Sequence, residues 1–138
     1  MPITWAEVEK IVRESFKGKK EAGLSIDLKR GMILTGVGFC VAYSATQDCH
    51  DTDGLKKCMD HATGAEGSGI VGAWQHNACV YYDSVKKYAT RQAAVDAAQK
   101  QRQLAIYNLG TQQVEDIMSD KGSFNPSLAL TRKRAHSV

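Results

Sequence analysis

No apolar run in this 138-residue sequence approaches the roughly 18 residues a membrane-spanning helix requires. The start of the chain lacks the basic segment and apolar stretch of a secretory signal, so a cytoplasmic protein is the expectation. A large charge of one sign is also missing. Eighteen Lys and Arg against fifteen Asp and Glu leave +3, too mild by itself to mark a nucleic-acid binder. Cysteines number four (Cys40, Cys49, Cys58, Cys79), and a chain of this length builds a core without a disulfide scaffold. No phosphate-cradling loop is present either. Gly67-Ser68-Gly69 and Gly36-x-Gly38 do not sit between a strand and a following helix. What is there is ordinary: 43% hydrophobic and 24% charged residues, enough for one folded domain and against wholesale disorder.

The order of elements is the strongest signal. Thr4 and Glu7 form a capping box ahead of a helix whose stripe is Trp5, Val8, Ile11, Val12 and Phe16. Gly18 ends it, amid Lys17, Lys19 and Lys20. Leu24 to Leu28 alternates like a short edge strand or extended arm. Val37 to Ser44 is a strand with Val37, Phe39, Val41 and Tyr43 on one face and Cys40 and Ala42 on the other. Thr46 to Asp53 reads as a polar loop. A helix follows over Asp53 to Ala62, burying Leu55, Cys58, Met59 and Ala62. Ile70 to Trp74 and Ala78 to Val85 form a hairpin around Gln75-His76-Asn77. Thr90 caps a small-residue helix over Arg91 to Gln103, Leu104 to Leu109 is a strand, and Thr111 to Ser119 reads as a short helix. From Asp120 the chain reads as a mobile basic tail ending in Thr131-Arg132-Lys133-Arg134.

Strand, helix, strand, strand, helix, strand over 36–109 predicts an α+β, ferredoxin-like βαββαβ sandwich within a single domain (1–119), followed by a tail (120–138). In that fold four antiparallel strands carry both helices on one face. Val37–Ser44 then pairs with Ala78–Val85. Phe39, Val41, Val80 and Tyr82 face the helices. Cys40, Cys79, Tyr81, Tyr107 and Trp74 lie on the opposite face. An apolar face of that size needs a cover. The extra N-terminal helix, a second copy of the chain or a ligand could supply it.

Several residue groupings raise chemistry. Cys58-x-x-His61 and His76-x-x-Cys79 have zinc-like spacing, but they fall on a helix, a turn and a strand that need not converge. Cys49 to Asp60 superficially fits a calcium loop without its acidic first ligand or final Glu. Cys49 beside His50 invites a thiol nucleophile, although adjacent residues rarely hold sulfur and imidazole in hydrogen-bond geometry, so His61 or His76 would have to be the base. Asp83 is a lone candidate buried acid. Aromatics Phe39, Tyr43, Tyr81, Tyr82 and Tyr107, with Lys86, Lys87, Arg91, Lys100 and Arg102, raise RNA binding. The strand 76–82, however, lacks the glycine and basic residues of the RRM signature. These patterns read more simply as core cysteines, a helix-capping loop and solvated charge.

Val80-Tyr81-Tyr82-Asp83-Ser84-Val85, Ala93-Ala94-Val95 and Gln103-Leu104-Ala105-Ile106-Tyr107-Asn108-Leu109 resemble small α+β accessory proteins and domains of phages and mobile elements. The resemblance covers about a third of the chain and carries no catalytic motif. It implies a non-enzymatic partner binder, such as an accessory protein or an inhibitor of a host defence system. The leading expectation is a protein-binding module with no cofactor and no metal. Its binding residues are Tyr81, Tyr107 and Trp74 on the sheet, Asp51 and Asp53 in the polar loop, and His76 at the hairpin. Homodimerisation through the sheet face, nucleic-acid binding, and a zinc- or thiol-dependent enzyme are the alternatives.

Overall fold

The computed structural model describes residues 3–46, 49–77 and 79–117. The tail expected at 120–138 lies outside the described residues. In chain order the elements are α1 (Trp5–Phe16), β1 (Glu21–Asp27), β2 (Met32–Ile33), β3 (Phe39–Ala42), β4 (Cys49–His50), α2 (Asp51–Thr63), β5 (Ile70–His76), β6 (Cys79–Tyr88), α3 (Arg91–Lys100), β7 (Ala105–Asn108) and β8 (Gln113–Asp116).

Local chemistry sets the helix starts. The Glu7 amide donates to the Thr4 hydroxyl at 3.2 Å, and the Thr4 amide donates to the Glu7 carboxylate at 2.9 Å. Hydrogen bonds from the Thr4 amide and hydroxyl hold the Glu7 carboxyl below its ordinary pKa. The Thr90 hydroxyl likewise accepts from the Ala93 amide. The third helix is shorter than its sequence pattern, because Arg102 adopts a left-handed φ of 58° just after it.

The strands form one eight-stranded antiparallel sheet in the order β2-β1-β5-β6-β3-β7-β8, with β4 pairing separately to β6. The sheet curls into a half-barrel. Tyr107 on β7 shows how far. Its hydroxyl donates to the Gly23 carbonyl on β1 at 3.1 Å, although three strands lie between them in the sheet. In a flat sheet four steps of about 4.8 Å would separate those strands by roughly 19 Å, beyond the reach of one tyrosine. The approach is close: a Cβ at residue 23 would sit 3.2 Å from Tyr107 Cε1, so any larger residue would require the ring to shift.

All three helices pack on one face. The first two bury Val8, Val12, Phe16, Leu55, Cys58 and Ala62 against Leu24, Ile26, Val71, Ala73 and Tyr82. The third lays Ala94, Val95 and Ala98 on Val41 and Ile106. The opposite, concave face carries a smaller cluster of Cys40, Ala42, Val85 and Leu109, with Leu34, Ile70 and Tyr107 beside it.

The four-stranded ferredoxin-like sandwich is therefore not the fold. β3 and β6 are antiparallel neighbours, from Phe39↔Tyr88 to Ala42↔Val85, so of the partner expected over Ala78–Val85 only Val85 lies in that ladder, and the rest of the ladder runs on to Tyr88. The sheet, however, extends well past the expected strands. The segment expected over Leu24–Leu28 belongs, as far as Asp27, to the seven-residue strand β1, which pairs along the whole of β5 from Glu21↔His76 to Asp27↔Ile70. Within the segment read as a helix over Thr111–Ser119, Gln113–Asp116 is instead β8, hydrogen-bonded to β7 through a turn in which Gln112 has a left-handed φ of 59°, and residues 118 and 119 lie outside the described residues. Nor does the N-terminal helix cover the second face. It lies beside α2 and β1 on the helical face, and the sheet's own curl covers part of the other.

Candidate functional site

Alternation along the β5–β6 hairpin builds the site. Val71, Ala73 and Tyr82 enter the helical core, so Gly72, Trp74 and His76 point the other way, as do Cys79, Tyr81 and Asp83. The register places His76 opposite Cys79, Trp74 opposite Tyr81 and Gly72 opposite Asp83. The short β4 adds His50 opposite Tyr81 on its other side. The result is a row of rings. Trp74 and His76 stack at 5.8 Å between centroids, Trp74 and Tyr81 lie 6.4 Å apart, and His50 and Tyr81 lie 6.1 Å apart. Trp74, His76 and Tyr81 are half-buried and His50 is exposed.

Polar partners fix the row at both ends. His76 Nδ1 lies 3.0 Å from the Glu21 carboxylate, and its Nε2 lies 3.1 Å from the Asn77 side-chain amide. At the other end His50 Nε2 is 3.9 Å from the Asp51 carboxylate. Tyr107 joins through Gly23, whose face touches both Tyr107 and Trp74 Cδ1. Trp74 and Tyr107 line a cleft of about 490 Å³ together with Glu21 and Val114. Burial pushes the Tyr107 phenol above its ordinary pKa, which keeps it a hydrogen-bond donor.

Trp74, His76, Tyr81 and Tyr107 thus share the concave side. Asp51 and Asp53 do not lie in a loop. They occupy the first turn of α2, where the Gly54 amide donates to Asp51 Oδ1 at 3.1 Å. They line a shallow groove with His50, Lys56 and Lys57, so His50 links the two expected surfaces. His50 as part of an aromatic row was missed. A two-residue strand is too short to show alternation.

The chemical alternatives separate in space. Cys58 is fully buried under α2, and burial raises its thiol pKa, which disfavours the thiolate that zinc requires. His61 Nδ1 bonds the Ser84 hydroxyl at 2.8 Å on the helical face. His76 and Cys79 stand on the other face, so the four residues do not converge. No group of three or more His, Cys, Asp or Glu among the described residues is placed to hold a metal. Cys49 pairs with Tyr82 and enters the core, whereas His50 pairs with Tyr81 and leaves it, so thiol and imidazole take opposite faces. The helix starting at Asp51 also prevents 49–60 from wrapping as a calcium loop. Tyr43 and Tyr82, candidates for base stacking, are occupied on the helical face. Tyr43 packs against His61 with its hydroxyl on Ser68, and Tyr82 is core.

No family model, curated protein or solved structure matches the chain. No helix among the described residues is long and apolar enough to cross a membrane.

Proposed function

We propose that this chain is a non-enzymatic binding module that takes a protein partner on the concave face of its half-barrel. Trp74 and Tyr81 are the anchors, Tyr107 extends the surface, and His50, His76, Glu21 and Asp51 form its polar rim. The observation that carries this reading is the row of rings, half-buried at Trp74, His76 and Tyr81, on the side of the sheet that no helix covers. Trp and Tyr in partly desolvated settings dominate interface energetics, and a polar rim around them excludes water. The resemblance of 80–109 to accessory proteins of phages and mobile elements supports the same role.

The test is quantitative affinity isolation from the source cells with wild-type protein, Trp74→Ala, Tyr81→Ala and, as a control on the outer helix, Lys10→Ala. Circular dichroism and amide spectra establish that each variant is folded. A protein held by wild type and Lys10→Ala should be lost roughly 30-fold in Trp74→Ala, as expected for a hot spot of about 2 kcal/mol. Sedimentation of the same proteins shows whether a second copy is the partner. Retention of every bound protein by folded Trp74→Ala and Tyr81→Ala, with an unchanged oligomeric state, would refute the proposal.

A further inference from the structure

A second site lies on the opposite, helical side of the sheet. The C-terminal half of α1, the segment after it and the β5–β6 hairpin enclose a cleft of about 740 Å³. Its floor is apolar: Val12, Phe16, Val80 and the Tyr82 ring. Its rim carries Arg13, Lys17, Lys19 and Lys20 against a single carboxylate, Glu9. The Gln75 amide donates to the Lys19 carbonyl, tying the hairpin wall to the rim.

Two features make this more than a solvated basic patch. The Tyr82 side chain is only 4% exposed and lines the cleft, and its hydroxyl finds no hydrogen-bond partner among the described residues. Burial keeps the phenol protonated, with Glu9, Cys58 and Asp51 acting in the same direction and Arg13 against them. A hydroxyl that meets water only through this cleft can exchange that water for a ligand's acceptor. The charge is also one-sided. Four cations outweigh Glu9, whose carboxylate is held by the Thr52 hydroxyl. They also outweigh the roughly half negative charge at the end of α1, where the Lys19 amide already caps the Phe16 carbonyl.

We infer that this cleft binds an amphipathic organic anion: an apolar body laid on Phe16 and Val80, and an acidic head group that accepts from the Tyr82 hydroxyl and faces Arg13, Lys17, Lys19 and Lys20. The volume suits a compact ligand. The cleft opens on the other side of the sheet from the aromatic row, with Asn77 at its edge bonded to His76 at the end of that row.

The experiment titrates the full chain with decanoate and with anilinonaphthalene sulfonate, one an acyl and the other an aromatic anion. Decyltrimethylammonium serves as the cationic control. Amide chemical shifts and calorimetry follow binding. Saturable binding of at least one anion is expected, with shifts centred on Phe16, Val80 and Tyr82, and which anion binds better distinguishes the two ligand types. Tyr82→Phe, which keeps the ring, should weaken it about tenfold, as should Lys19→Glu combined with Lys20→Glu. Trp74→Ala should leave it unchanged, which separates this site from the concave face. The inference is overturned by no saturable binding of either anion, by equal affinity for decyltrimethylammonium, or by affinities that both folded cleft variants leave intact. Shifts centred on Trp74 and Tyr81, or binding to anionic vesicles alone, would overturn it as well.

Discussion

Thr46→Val should destabilise the protein far more than its conservative shape suggests. The β3 ladder to β6 ends at Ala42↔Val85, and β4 resumes it at Cys49↔Tyr82. In the gap the Ser84 carbonyl accepts from the Tyr43 amide at 2.9 Å. The Ser84 amide has no strand carbonyl and donates instead to the Thr46 hydroxyl at 2.9 Å. Thr46 is 1% exposed and Ser84 0%, so water cannot replace that acceptor. Valine preserves the shape and strands a buried N–H, at a cost of about 1–3 kcal/mol. At about 2 kcal/mol, and roughly 4 °C per kcal/mol for a domain of this size, Tm falls by about 8 °C. The urea midpoint falls by about 1 M. Thr46→Ser keeps the acceptor and should lose about half as much, from the missing methyl group. Urea unfolding followed by tryptophan fluorescence measures the midpoints, and amide hydrogen exchange reads Ser84 directly. An unchanged midpoint in Thr46→Val, with Ser84 still fully protected, would refute the idea that the hydroxyl stands in for a strand carbonyl. The matter bears on function because β4 places His50 beside Tyr81.

Two further outcomes follow. Burial, with Glu9 adding to it, pushes the Tyr82 phenol from 10.0 up to about 12. A pKa raised in the folded state gives stability that is complete below about pH 10 and lost as pH rises through about 12. Thermal unfolding across that window should show Tyr82→Phe losing less stability than wild type, and parallel losses would contradict it. Of the four cysteines only Cys79 is not buried, so brief treatment of native protein with a maleimide should label Cys79 first, as peptide mass mapping would show. A bulky adduct there should also block the partner, whereas equal labelling at Cys58 would mean that the core opens readily.

Much of the local structure was legible in the sequence. The Thr4–Glu7 box and the Thr90 cap are side-chain chemistry that acts within one turn. The sorting of Phe39, Val41 and Tyr82 from Trp74, Tyr81 and Tyr107 follows from strand alternation alone. Global arrangement was not legible, for particular reasons. Val114, Ile117 and Met118 have helical spacing, but Gln113–Asp116 is held as a strand by pairing to β7 and by Glu115, which accepts from both Arg91 and Asn108. Those are tertiary contacts that no local pattern announces. Glu21–Asp27 becomes a full strand because β5 offers an edge along its whole length. That pairing draws α1 to the helical side and widens the sheet until it curls. At the site, the ring row follows from alternation plus the hairpin register. His50 and the Tyr107–Gly23 contact depend on the curl and on β4.

The curl is the premise on which the concave binding face rests, and one measurement reads it directly: nuclear Overhauser contacts from the Gly23 α-protons. The half-barrel predicts strong cross-peaks to both the Tyr107 ring and the Trp74 indole, because Gly23 touches the two together. Cross-peaks to Trp74 alone, with none to Tyr107, would mean an open sheet and would contradict the account.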